Sequence, residues 1–340
     1  MIQERKQRWL DFYNPAKPPT GLFMIQYLPG LEDRPFPRED NVAERIEWSW
    51  HKYRILLDRL EWLEDDSLPF LDAYTGTEIF AAAFGCPVHY PDDNMPFAMP
   101  LIHSAAEVDD LPIPSLDTPA VARLFSIADE LRRRARADAL VRLVDMQSPM
   151  DIAALIWDKL TFYPALVENP QAVLALAHKV KTFLVAFLDE WFHCYGREFI
   201  AHYPDYYMPY GITLSEDEVG AVSGAMFNQL FLPELVELSE RYGAFGMHCC
   251  AHARHQWSNF KKIPNLRLLN LVQPPEVVCK AVDFFAGHTA QFHSFQGEGP
   301  AWTWPSQHPP EARMVYEVVV SSREEALETS ARMREALGRS

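Results

Sequence analysis

The feature that most limits the fold is an alternation. Short runs rich in aliphatic, aromatic and β-branched residues are separated by longer segments whose apolar positions recur every 3.6 residues. Eight runs read as strands: 22–28, 68–74, 139–147, 199–207, 243–249, 266–272, 289–295 and 313–320. Seven segments read as helices: 42–64, 118–138, 149–167, 171–195, 223–242, 275–285 and 323–337. Strands joined by crossover helices pair in parallel. Eight of them predict an α/β fold, a single (β/α)8 TIM barrel, where five or six would predict a doubly wound sheet. Pro204 fits badly inside the fourth run, since a central strand tolerates proline poorly. The Pro-rich pieces fall between elements, so 1–340 is expected to be one domain, with 1–20 as an N-terminal extension.

Charge and cysteine usage narrow the function classes. With 31 basic and 47 acidic side chains the formal charge is −16, which opposes a general nucleic-acid partner. A hydrophobic share of 48% excludes a disordered, solvating chain. Cys86, Cys194, Cys249, Cys250 and Cys279 are odd in number and irregularly spaced, a poor disulfide framework that suits a reducing compartment. The N-terminal MIQERKQRWLDFYNP lacks the apolar core of a secretory signal. No uninterrupted apolar run approaches the roughly 20 residues needed to span a bilayer. A cytoplasmic protein without membrane or nucleic-acid partners is expected. The sequence contains neither GxGxxG nor GxxxxGK[ST], so nucleotide binding finds no support.

The densest chemical cluster is Gly246-Met247-His248-Cys249-Cys250-Ala251-His252-Ala253-Arg254-His255, on and just after the fifth run. Strand residues at i and i+2 share a face, so His248 and Cys250 can converge on one ion while Cys249 faces the helices. Imidazole and thiolate at this separation suit Zn²⁺. The competing reading makes the two cysteines small buried core residues and the histidines a polar loop. His252 and His255, three apart, offer a second, weaker pair. Other strand ends carry Gln26, Tyr27, Asp72, Tyr74, Asp145, Gln147, Asp205, Tyr206, Tyr207, Tyr210, Asn270, His293 and Glu317. Polar groups there are costly to desolvate unless paired or used, and together they describe a wet cavity for a small polar ligand. The Trp302-Thr303-Trp304-Pro305 loop either roofs that cavity or packs on the outside.

His248-Cys249-Cys250-Ala251, preceded by Gly211-Ile212-Thr213-Leu214-Ser215-Glu216-Asp217 and Val222-Ser223-Gly224-Ala225-Met226-Phe227, resembles the uroporphyrinogen decarboxylase superfamily of (β/α)8 barrels. There an H-x-C-G strand end follows a Ser-Pro-Glu helix. Similarity continues through Thr75-Gly76-Thr77-Glu78, Phe84-Gly85-Cys86, Met99-Pro100-Leu101-Ile102 and Gln147-Ser148-Pro149. The decarboxylase branch holds an acidic tetrapyrrole with the arginines of an R-x-x-x-R-Y-L-P motif. Gln26-Tyr27-Leu28-Pro29 looks like its tail, but Leu22 and Gln26 stand where both arginines should be. A substrate with many carboxylates needs such cations.

The other branch, the zinc- and corrinoid-dependent methyltransferases, ligates zinc through His-x-Cys and a Cys on the last strand. His248 and Cys250 match; the last strand has no cysteine, and Glu317 offers an oxygen instead. The resemblance therefore implies Zn²⁺ on His248, Cys250 and Glu317, with His293 as a supporting partner, a general base or the alternative third ligand. It also implies a small-molecule substrate and a corrinoid, or a corrinoid protein, as methyl donor. Within this reading Asp145, Gln147, Tyr207 and Asp217 are the catalytic candidates, and Gln26, Tyr27, Asn270 and His293 the cofactor-binding ones. The alternatives are a metal-free decarboxylase or lyase using Asp72, Asp145 or Asp217, and a binding barrel without catalysis.

Overall fold

The computed structural model describes residues 1–339. Among the described residues there are twelve strands: β1 (Leu22–Gln26), β2 (Phe70–Leu71), β3 (Val88–His89), β4 (Phe97–Ala98), β5 (Leu140–Arg142), β6 (Phe199–Ile200), β7 (Tyr207–Met208), β8 (Ile212–Ser215), β9 (Phe245–Cys249), β10 (Leu266–Leu271), β11 (Ala290–Gln291) and β12 (Val315–Val319). All seven expected helical segments contain helices, interleaved with the strands, so the protein is mixed α/β. Strands β1 and β8 to β10 are buried almost throughout, as parallel strands covered on both faces must be.

The ladders form four groups: β1–β12, β11–β10–β9–β8, β2–β5–β6–β7 and the hairpin β3–β4. Single parallel bridges link two junctions, Gln291 to Met314 between β11 and β12, and Gln147 to Ser215 between the end of β5 and β8. Among the described residues no ladder joins β1 to β2, so a closed hydrogen-bonded barrel, expected from the sequence, is not formed strand by strand.

Two features depart from the expected strand list. The run 199–207 is not one strand: β6 pairs parallel with β5, and the chain then folds back as β7, antiparallel to β6. Pro204 lies in the connection, where its missing N–H costs no ladder bond. The strand that instead carries the order forward is β8, four buried residues directly after Gly211, too short to show periodicity.

The unpaired edge of β1 is satisfied by side chains. Asp66 accepts the Phe23 N–H at 2.9 Å and donates its own N–H to the Phe23 carbonyl at 2.8 Å. Asp65 accepts the Ile25 N–H at 3.0 Å, and Arg59 donates to the Ile25 carbonyl. Both aspartates are fully buried and are neutralised by Arg5 and Arg59 on Asp65 and by Arg8 and Arg339 on Asp66. The helix Val42–Arg59 supplies a buried cationic stripe at seven-residue spacing, which places Arg45, Lys52 and Arg59 on one face. Arg45 donates to the Tyr74 carbonyl and Lys52 to Asp72 at 2.7 Å, so this helix ties β1 to the end of β2.

The 26-residue helix Pro170–Tyr195 is long and apolar enough to cross a membrane by length and composition alone. Half of its most apolar stretch is buried in protein, with Phe183 and Phe187 edge-on to Phe80. Trp302 lies under the Arg332 guanidinium and Trp304 near Tyr316. That loop therefore packs on the outside and does not roof the cavity described below.

Asp65→Ala should strand Arg5 and Arg59 as buried unpaired cations and lower stability by about 3–5 kcal/mol. Urea denaturation reads this directly. A loss under about 1 kcal/mol, typical of an exposed pair, would show that the seam is solvated.

Candidate metal centre

A cavity of about 420 Å³ opens at the C-terminal ends of β2, β5, β8 and β9. Asp145, Gln147, Asp217, His248 and Cys250 all line it, and Cys249 does not. Cys249 is buried, its thiol directed to the Ala251 carbonyl, and burial followed by the Asp217 charge pushes it well up. The i, i+2 reading of the strand end thus places His248 and Cys250 on the cavity side.

The ligand atoms of Asp217, His248 and Cys250 lie within 4.8 Å of one another. His248 and Cys250 come from the end of β9 and Asp217 from the turn after β8. The Nδ1 of His248 is 2.6 Å from Asn270 Oδ1, and Asn270 Nδ2 in turn donates to the Phe292 carbonyl. That second bond orients the amide so that its oxygen meets His248, which requires Nδ1–H and leaves the Nε2 lone pair free. Asp217 Oδ1 accepts the N–H groups of Cys250 at 2.5 Å and Ala251 at 3.2 Å. The turn carrying Asp217 is itself pinned by Asp151, which accepts the N–H groups of Asp217 and Glu218 at 2.7 and 2.9 Å. Partial burial and the Asp217 carboxylate push the Cys250 thiol up to about 12, and a dication among the three groups would reverse that pressure.

Beneath this trio sits an acidic layer that sequence reasoning missed. Glu216 is fully buried, and burial together with Asp151 pushes it well up. Asp151 is pushed up to about 7 by burial and Asp217. The only sequence hint was the Ser215-Glu216-Asp217 step after a short strand. On the cavity wall, burial raises Asp145 against the opposing pull of Arg142. Gln147 Oε1 is buried without a hydrogen-bond partner, and Tyr203 sets its ring edge-on to His248 at 4.9 Å.

Several expected site residues lie elsewhere. Glu317, expected as third ligand, accepts from Gln26 Nε2 at 2.7 Å and stands outside the donor trio. The oxygen ligand that the structure brings to His248 and Cys250 belongs to Asp217. His293 is fully engaged: Nδ1 accepts from the Leu271 N–H at 3.0 Å and Nε2 faces Gln291 Oε1 at 2.8 Å. Burial lowers it to about 3, so neither a ligand lone pair nor a base is available. Tyr207 turns away from the cavity to donate to Glu198 at 2.6 Å, because β7 runs back toward the opposite end. Tyr27 packs edge-on against Trp62. Asp72 is consumed by Lys52 and Arg142, whose charges outweigh its burial and hold it well below the usual range. His255 faces the Val222 carbonyl, and His252 does not join the trio.

The donor set of one imidazole, one thiol and one carboxylate fits Zn²⁺. A corrinoid does not fit in the same way. Gln26, Tyr27, Asn270 and His293 share no open surface, each being bonded or packed internally. The cavity of about 420 Å³ is of the size that takes a small ligand, not a corrin macrocycle.

The class that emerges is a parallel-strand α/β protein with a polar, metal-suited cavity where its strands end. The chain belongs to the uroporphyrinogen decarboxylase (URO-D) family, which matches residues 73–271. That span contains the donor trio and Asn270, whereas Gln26, His293 and Glu317 lie outside it. The fold is similar to that of a methyltransferase from Methanosarcina mazei, with a TM-score of 0.67 over 98% of this chain and 98% of that chain, at 11% sequence identity. A search of curated protein sequences finds no match.

The hydrogen-bond network makes a spectroscopic prediction. Long-range ¹H–¹⁵N correlation should show neutral His248 as the Nδ1–H form and His293 as the Nε2–H form. His293 should stay uncharged down to about pH 4, given its lowered pKa. A neutral His248 protonated on Nε2 would remove the free lone pair on which the site depends.

Proposed function

We propose that this chain is a zinc-dependent, methyltransferase-like enzyme of the URO-D superfamily. In this reading Asp217, His248 and Cys250 hold the metal, and a small substrate occupies the adjoining cavity. The observation that carries it is the convergence within 4.8 Å of two donor atoms from the end of β9 and one from the turn after β8. Zn²⁺ in such a site lowers the pKa of a thiol or hydroxyl, making it a nucleophile near neutral pH. An oxygen donor in place of a second thiolate makes the ion harder, which favours a hydroxyl over a thiol.

The protein's own groups have distinct tasks. Asn270 holds the His248 ring with Nε2 toward the cavity, and Asp151 holds the turn that presents Asp217. Gln147, on the cavity wall, offers its side-chain amide to a polar group of the substrate. Asp145, raised by burial, takes or returns the substrate proton. A corrinoid methyl donor would have to be held by a partner protein, since the cavity of about 420 Å³ does not take it.

The same reading treats the architecture as a single (β/α)8 barrel. Its strands in order are β1, β2, β5, β8, β9, β10, β11 and β12, with β6 and β7 as a ribbon inserted between the third and fourth. Two bridges support this order, and the Asp65–Asp66 seam stands in for the missing ladder.

Protein purified without a metal-affinity tag should contain about one zinc per chain. Cys250→Ser and Asp217→Asn should remove most of it. Asn270→Ala should weaken zinc binding about 10–100-fold, while Glu317→Gln and Cys249→Ser should change little. Retention of zinc by both Cys250→Ser and Asp217→Asn would refute the ligand assignment. Metal-free protein that decarboxylates a small acid would favour the lyase reading instead.

Uroporphyrinogen should not be turned over at ordinary enzymatic rates of about 1–10³ per second. The cavity is small, and Gln26 and Leu22 offer no cation to its carboxylates. Turnover in that range would show that other cations, such as Arg34 on the cavity wall, suffice.

A further inference from the structure

Beside the metal cavity lies a second one of about 400 Å³, formed by the 75–78 loop, the helix Val42–Arg59 and the first turn of the helix Pro119–Arg134. Three of its lining residues carry polar atoms that are buried and without a partner: Arg45 Nε, Thr75 Oγ1 and Glu78 Oε2. Those residues are only 4%, 6% and 9% exposed. Among the described residues Arg45 has no carboxylate partner, its hydrogen bond going to the Tyr74 carbonyl, so a buried cation at the cavity wall is left uncompensated. Gly76 permits the arrangement, because a Cβ there would come within 2.2 Å of Glu78 Oε2.

The charges specify the kind of partner. Arg38, Arg45 and Arg123 face the cavity with Glu39 and Glu78, leaving one net positive charge when all are ionised. Arg123 is already paired with Glu39 at 2.9 Å, and Arg38 is tied to the Pro91 carbonyl at 2.9 Å. Arg45, the most buried of the three, is thus the cation left without a carboxylate. Ile79, Ala82 and Leu124 give the remainder of the wall an apolar lining.

We propose that this cavity is a binding site for a small monocarboxylate, with its carboxylate on the Arg45 guanidinium and its apolar body against Ile79, Ala82 and Leu124. A guanidinium supplies charge-assisted bonds to a carboxylate. A dianion such as phosphate is disfavoured by the two neighbouring glutamates. Burial pushes the Glu78 carboxyl up to about 7, so near neutrality part of the population donates a hydrogen bond to the bound carboxylate. Thr75 lines both cavities, which places the occupant against the metal cavity without entering it.

Isothermal titration calorimetry of the full chain with butyrate, butyramide and inorganic phosphate tests the assignment. Butyrate should bind saturably, and butyramide about tenfold or more weakly, the amount expected for a charge-assisted bond. Arg45→Gln should weaken butyrate by a similar factor. Since Arg45 also supports the Tyr74 carbonyl, Ala82→Leu provides a second variant that fills the apolar end, and it should abolish binding. Both variants should retain wild-type zinc content, so failure of this proposal is separable from failure of the metal site. Equal binding of butyrate and butyramide, tighter binding of phosphate, absence of saturable butyrate binding, or undiminished butyrate binding by folded Ala82→Leu would each overturn it.

Discussion

The structure depends most on how a row of buried charges closes the gap between β1 and β2. A strand edge leaves N–H and C=O groups that must be satisfied, and here Asp65 and Asp66 take the place of a neighbouring strand. Their charges would be prohibitive alone, so Arg5, Arg8, Arg59 and Arg339 surround them. Such a network is weak evidence for stability, because desolvation offsets much of the attraction. Its geometry is specific, however, since each carboxylate is bound both to backbone and to guanidinium.

The same helix that closes the seam also builds the floor of the cavities. Lys52 and Arg142 converge on Asp72, and Arg142 reaches Asp205 at 3.0 Å. This ionic floor lies below Asp145 and fixes the field in which that carboxyl titrates. Above it, the metal trio is positioned through backbone and amide contacts rather than through further charges. Asn270 selects the His248 tautomer, and Asp151 fixes the turn before the 3-10 segment Glu218–Ala221. Preorganisation of this kind is what a metal site needs to hold its ligands before the ion arrives.

Much of this was legible from residue order, for identifiable reasons. All eight apolar runs contain strand, and the His-x-Cys step at the end of β9 puts Cys250 on the cavity wall and Cys249 off it, because strand periodicity is a local property. What escaped was set by contacts distant in sequence. Asp217 joins His248 only because β8, a strand too short for any pattern, pairs with β9 so that Ser215 lies opposite His248. Glu317 was chosen by resemblance, yet Gln26, standing where that family has an arginine, bonds it instead. His293 looked reactive until the Leu271 N–H and Gln291 occupied both of its nitrogens. Tyr207 was misplaced because Pro204 marks a reversal in a run that otherwise reads as one strand.

The central claim is that an imidazole and a thiolate from the end of β9 and a carboxylate from the turn after β8 form a single metal site. Zinc K-edge X-ray absorption on the purified protein tests it most directly. A shell with one sulfur at about 2.3 Å and nitrogen or oxygen neighbours at about 2.0–2.2 Å, one of them an imidazole, is the predicted result. A shell with two or more sulfurs, or with none, would contradict the account.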